Sequence, residues 1–323
     1  MKKIICLFMI LTMSLTLICC NPNAGKKVIR VGYLAGPTGM GMAKLISDNA
    51  DNQGYSFTKY ADSNAAKTDL AAGKIDIICL PTNEAAQYYA KVDSTAKLLA
   101  VNCLNSLYLL TKGEDQVNSL SELEGKTIYT CKNGTPKMVL EYILKEAGIN
   151  AEVSYEIGDK VMLTPQDLST CVSLGLVPNA VMPEPIVTST LMTISKNGDK
   201  SVHYTVDVDL SDEWAKISST PIAMGCIIAN GDFVRENPTL LADFLSEYKG
   251  SVEYIGNSEN LDSAANYVVE NGIMGAAPAA KMALKNLGKS ISYIDGDQMK
   301  ETLVSFYTAL GIALPDDDFY YEK

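Results

Sequence analysis

The stretch that decides the fold is Val28-Ile29-Arg30-Val31-Gly32-Tyr33-Leu34, followed by Ala35-Gly36-Pro37-Thr38-Gly39-Met40-Gly41-Met42. Its first seven residues form a nearly unbroken apolar run of strand length, the signature of a strand covered on both faces. Gly36-Pro37-Thr38-Gly39 is a turn, and apolar residues then recur at helical spacing over residues 40–50. Strand, glycine turn and helix make the repeating unit of a parallel α/β sheet. The unit comes again: residues 56–60 read as a strand, 67–72 as a helix and 74–80 as a third strand. Pro81-Thr82-Asn83-Glu84 then opens another helix.

Residues 98–111, interrupted only by Asn105-Ser106, are long enough to leave one sheet and enter another. A second α/β unit follows, with a strand at 127–131, the loop 132–136, a helix at 137–147, and a strand at 179–182 that runs into Pro183-Glu184-Pro185. Residues 222–229 resemble a return strand, and everything from 237 onward reads as helices. The expected fold is α/β with two lobes, two mainly parallel sheets, a hinge and an interlobe cleft. Residues 27–106 and 232–323 would form a discontinuous first lobe, and 107–231 the second.

The N-terminus carries an address. Met1-Lys2-Lys3 is a short basic region, residues 4–18 are almost wholly apolar, and Leu17-Ile18-Cys19-Cys20 follows. The run is short for a membrane span and has no stop-transfer charges behind it, so residues 1–19 read as a lipoprotein signal peptide. Cys20 is the expected lipidation site and 20–26 a tether, placing the mature domain outside the cytoplasm on a membrane anchor. An uncleaved anchor and plain secretion are the alternatives.

The chain of 323 residues is 47% hydrophobic with a formal charge of −11, which describes a folded domain with an acidic surface. That charge repels nucleic acid, and no dense basic tract offsets it. Past Cys20 there remain Cys79, Cys103, Cys131, Cys171 and Cys226, an odd number with no framework spacing and no Cys-x-x-Cys pair. Cys79 lies in the run 75–80 and reads as a buried thiol. His203 is the sole histidine, in a strand-like segment, so neither a metal site nor a serine-type triad is expected. No cofactor is expected either: a Walker loop needs Lys and Ser/Thr after the last glycine, where this chain has Met42 and Ala43.

Four loops end a strand and start a helix: Gly36-Pro37-Thr38-Gly39, Thr82-Asn83, Asn133-Gly134-Thr135 and the one holding Glu184. Their free backbone N–H groups face the carboxyl edge of a sheet, where α/β proteins take ligands. Thr82, Asn83 and Thr135 also suit helix N-caps. Two such loops from each lobe would converge on one cleft and bind one small solute.

The chain resembles the extracytoplasmic solute-binding proteins of ABC importers, in the branch serving nitrate, sulfonates such as taurine, and thiamine-precursor pyrimidines. The resemblance is carried by residues 31–44, 73–85, 123–129, 179–185 and 314–320, including Leu123-Glu124-Gly125-Lys126-Thr127-Ile128. It implies the periplasmic-binding-protein type II fold, a monomer closing around its solute, and delivery to a permease driven by an ATPase. It implies no catalysis; the rival is an exported enzyme on the same fold, making a pyrimidine precursor or dehydrating a small acid.

Only Arg30 and Arg235 are present, and neither falls at a strand's carboxyl end, so an arginine clamp on a carboxylate is not expected. Glu84 and Glu184 could accept from N–H donors, and Tyr33 could stack on a flat ligand.

Overall fold

Strand β1 (Ile29–Leu34) is buried along nearly its whole length, because it lies inside a sheet covered on both faces. The computed structural model describes residues 27–92, 95–113 and 116–322; the signal peptide, the tether and Cys20 lie outside these. After β1 come β2 (Tyr55–Tyr60), β3 (Ile77–Pro81) and β4 (Ala96–Leu104) in the first lobe. The chain then crosses to the second lobe for β5 (Leu107–Lys112), β6 (Thr127–Tyr129), β7 (Glu152–Ser154), the small hairpin β8 (Glu156–Ile157) and β9 (Lys160–Val161), β10 (Asn179–Pro183) and β11 (Tyr204–Asp209). It returns with β12 (Ala223–Asn230) and ends its sheets with β13 (Ile291–Ile294).

The first sheet has the order β13-β4-β12-β3-β1-β2 and the second β11-β5-β10-β6-β7. This is the two-lobed α/β architecture expected from the sequence. Both sheets are mixed: β1 pairs parallel with β2 and β3, and β6 with β7 and β10, while the strands next to the crossings run antiparallel. The sequence-based boundary at 231 falls after β12, yet β12 pairs with β3 and β4 inside the first sheet. The second crossing therefore lies before Ala223. The C-terminal region is not all helix, since β13 pairs antiparallel with β4. Four residues at a sheet edge give too short an alternation to stand out among long helices.

The two crossings are joined. Asn105 N donates to Ile222 O and Ile222 N to Asn105 Oδ1, both at 2.9 Å, and Ser290 Oγ donates to Asn105 O at 2.6 Å. Asn105 is the only described non-glycine residue with positive φ, at 32°, a region that asparagine tolerates better than most residues. On the first lobe the helix Pro238–Gly256 supplies Leu241, Phe244, Leu245, Tyr248 and Val252 to the core. Its Ser251 Oγ donates to Gly41 O at 2.6 Å. The helix Gly296–Ala309 bridges toward the second lobe, where Phe306 meets Trp214 at 5.7 Å between ring centroids.

All five described cysteines are buried and unpaired. Burial pushes the thiols of Cys79 and Cys103 up to about 12 and that of Cys131 up to about 11, so they stay protonated and inert.

Candidate functional site: the interlobe cleft

A cavity of about 280 Å³ opens between the lobes, lined by loops at the carboxyl ends of β1, β2 and β3 on one side and by loops after β6 and β10 on the other. Of the residues singled out in the sequence, Gly36, Pro37, Thr38, Asn133, Gly134 and Thr135 line it, as does Glu84. The two glycine turns are conformational twins. Gly36 has φ 99° and ψ −164°, and Gly134 has φ 97° and ψ −176°. Each precedes a helix with proline in its first turn. Only glycine reaches this backbone region without strain, so each lobe presents its first-turn amides through the same device.

Gly39 stands behind the first turn rather than in the lining, and its reason is close approach. A Cβ there would lie 2.0 Å from Leu34 O. Thr38 lines the cleft, and its carbonyl accepts from Asn102 Nδ2 at 2.9 Å. Asn102 Nδ2 also donates to Tyr248 Oη at 2.7 Å, which ties the turn to the helix Pro238–Gly256.

Thr82, Asn83 and Glu184 do not line the cavity. Thr82 is fully buried, donates from Oγ1 to Ala223 O at 2.5 Å and accepts at its carbonyl from Tyr307 Oη at 2.8 Å. It anchors its helix to β12. Asn83 accepts at Oδ1 from Thr135 Oγ1 at 3.1 Å, a contact from one lobe to the other. Glu184 is buried in the second lobe, where it accepts from Thr188 N at 3.1 Å and Thr188 Oγ1 at 2.8 Å. Asn286 Nδ2, from the first lobe, donates to the same carboxylate at 2.8 Å. Burial pushes the Glu184 carboxyl above the ordinary carboxylate range, and these donors hold it back.

Tyr33 is buried away from the cleft, its hydroxyl donating to Asn271 O at 3.2 Å, so it offers no stacking surface. Arg30 forks onto Asp76 at the opposite end of β1, with Nε at 3.0 Å and Nη2 at 2.5 Å. Arg235 is exposed and pairs with Asp232 at 2.7 Å. His203 is exposed and outside the cavity lining, just ahead of β11. Among the described residues no His, Cys, Asp and Glu group has the arrangement of a metal site.

The sequence reading passed over Asp62, Ser63, Thr164 and Gln166, which also line the cavity. The signals were present. Asp62 caps the helix Ser63–Ala71 by accepting from Asn64 N and Ala65 N, and Thr164 with Asp167 forms a capping box.

Comparison with known proteins agrees with this geometry at the level of the fold. No protein-family model matches the chain, and no curated protein matches it. Solved structures do. An ABC transporter protein from Parabacteroides distasonis is 21% identical over 92% of this chain and 99% of its own, with a TM-score of 0.71. The periplasmic aliphatic sulphonate binding protein SsuA of Escherichia coli is 16% identical, covers 87% of each chain and has a TM-score of 0.65. The periplasmic nitrate-binding protein NrtA of Synechocystis PCC 6803 is 14% identical over 84% of this chain and 74% of its own, with a TM-score of 0.59. The chain has the periplasmic-binding-protein type II fold.

Proposed function

We propose that this protein is the solute-binding component of an ABC importer, held outside the cytoplasm by a lipid on Cys20 and presenting one small organic solute to a permease. The observation that carries the reading is the cleft: twin glycine turns, one per lobe, face a shared cavity that the Thr135–Asn83 contact closes. A solute that touches both lobes has more contacts in the closed form than in the open one, and this differential affinity drives closure. The solute-binding and transport names of the structural neighbours support the same reading. The lining offers hydroxyls, amides and backbone N–H groups in place of an arginine clamp.

Native mass spectrometry of the purified protein tests it. One small-molecule adduct per chain, lost on denaturation, is expected; a bare chain under the same conditions contradicts the reading. The anchor has its own test, in which Cys20→Ser moves the protein from the membrane to the soluble fraction.

A further inference from the structure

We propose that Glu184 and Asn286 form a proton-linked latch between the lobes: closure buries the Glu184 carboxyl beneath Asn286 and favours its protonated form, so acid holds the cleft shut and alkali lets it open. The inference takes the movement of the lobes from the solute-binding reading above and adds a control to it.

Glu184 stands where the lobes meet. Its N–H donates to Ser106 O at 2.9 Å, beside the first crossing. Pro183 and Ile186, on either side of it, line the cleft, whereas Glu184 itself is outside the lining and only 1% exposed. The donors to its carboxylate are neutral: Thr188 N and Thr188 Oγ1 from its own lobe, and Asn286 Nδ2 from the other. Asn286 lies in the last turn of the helix Ala277–Leu287, whose Ala280, Ala283 and Leu284 belong to the first-lobe core. Its polar atoms reach across. Nδ2 also donates to Thr188 Oγ1 at 3.1 Å, and its carbonyl accepts from Tyr108 Oη on β5 at 3.4 Å. Asn286 itself stays exposed to solvent. An exposed residue of one lobe thus covers a buried carboxyl of the other.

A carboxylate shut away from water with neutral donors keeps its charge at a cost. Opening the lobes withdraws Asn286 and admits water, which restores the charged form. The closed form therefore binds the proton more tightly than the open one, and by linkage closure takes up a proton. The direction agrees with the raised proton affinity that burial gives Glu184. Closure is most favourable below a glutamate's ordinary value and is lost as pH rises through the raised one. The neighbouring titratable groups do not oppose this. Tyr108 on β5 is held above a phenol's ordinary value by burial and by the charge of Asp209, so it stays neutral in this range. Cys103 on β4, pushed up to about 12 by burial, is neutral as well. Asp209 and Asp212, which bear on the same phenol, carry negative charge and act in the same sense as burial.

The test follows the lobes directly. Spin labels on Asn64→Cys of the first lobe and Thr170→Cys of the second, both exposed positions, report the interlobe distance in the full chain in detergent with no solute added. The five described native cysteines are buried. From about pH 5 to about pH 8 the open-to-closed ratio should rise about three- to tenfold, since one unit of difference in proton affinity between the forms is a factor of ten. Glu184→Gln, neutral throughout, should hold the ratio at the parent's low-pH value. Asn286→Ala should shift both distributions toward the open form while its cooperative melt shows an intact fold. A parent ratio that does not change with pH overturns the latch, as does a pH dependence that Glu184→Gln retains. Lobes that stay shut in Asn286→Ala overturn it too. None of these results touches the solute-binding reading, which the native mass spectrum decides separately.

Discussion

The Thr135 hydroxyl of the second lobe donates to the Asn83 side-chain oxygen of the first at 3.1 Å, with both residues buried. This bond exists only while the lobes are together, so it belongs to the closed state and not to the folding of either lobe. Asn83→Ala leaves the hydroxyl unpaired and is predicted to weaken closure by about 1–3 kcal/mol. Small-angle scattering of the unliganded variant should give a larger radius of gyration than the parent. Superimposable curves would show that the contact does not bias closure.

Arg30 serves stability and not recognition. Its side chain and its backbone N–H both donate to Asp76, whose carboxylate is only 5% exposed. Arg30→Gln should lower unfolding stability by about 1–3 kcal/mol, because a buried acceptor loses its charged donor. Urea melts measure this. An unchanged midpoint would mean that solvent replaces the guanidinium without loss.

Glu184 predicts a pH dependence with a definite sign. Its folded-state value is raised by burial, so the folded protein keeps this proton across a window in which the unfolded chain has released it. Stability from this group is therefore fullest at low pH and falls as pH rises from a glutamate's ordinary value through its raised one. Glu184→Gln should flatten that slope in urea midpoints taken between about pH 4 and 7. A difference between parent and variant that is constant with pH, or that grows in the opposite sense, contradicts the assignment.

Asn105 gives the hinge a conformational requirement. With φ at 32° and Oδ1 bonded to Ile222 N, it combines a left-handed backbone with a cross-strand acceptor. Asn105→Val should destabilise by about 2–4 kcal/mol, through β-branched strain and the lost bond, and Asn105→Gly should lose less. Thermal melts of the pair decide this; equal losses would show that the backbone conformation plays no part.

The strands and the two α/β units were legible because a buried strand such as Ile77–Pro81 is a continuous apolar run of strand length. The cleft turns were legible for the same reason: Gly36-Pro37 and Gly134-Thr135-Pro136 mark strand-to-helix loops wherever they stand. Side-chain direction was not legible. Thr82, Asn83 and Glu184 lie in the right loops, yet they are turned toward β12, the opposing lobe and Asn286. Those directions depend on partners more than fifty residues away. The β2-end loop was overlooked because Asp62 looks like an ordinary cap, which it also is.

The most direct measurement is isothermal titration of the solute identified by native mass spectrometry into the parent protein, Thr38→Ala, Asn83→Ala and Arg30→Gln. One site per chain is predicted. Thr38→Ala and Asn83→Ala should each lose about 1–3 kcal/mol, roughly five- to a hundredfold in affinity, from a truncated lining side chain and a weakened closing contact. Arg30→Gln, at the far end of β1, should bind like the parent. Loss of binding in Arg30→Gln with full affinity in the other two would contradict recognition in the interlobe cleft.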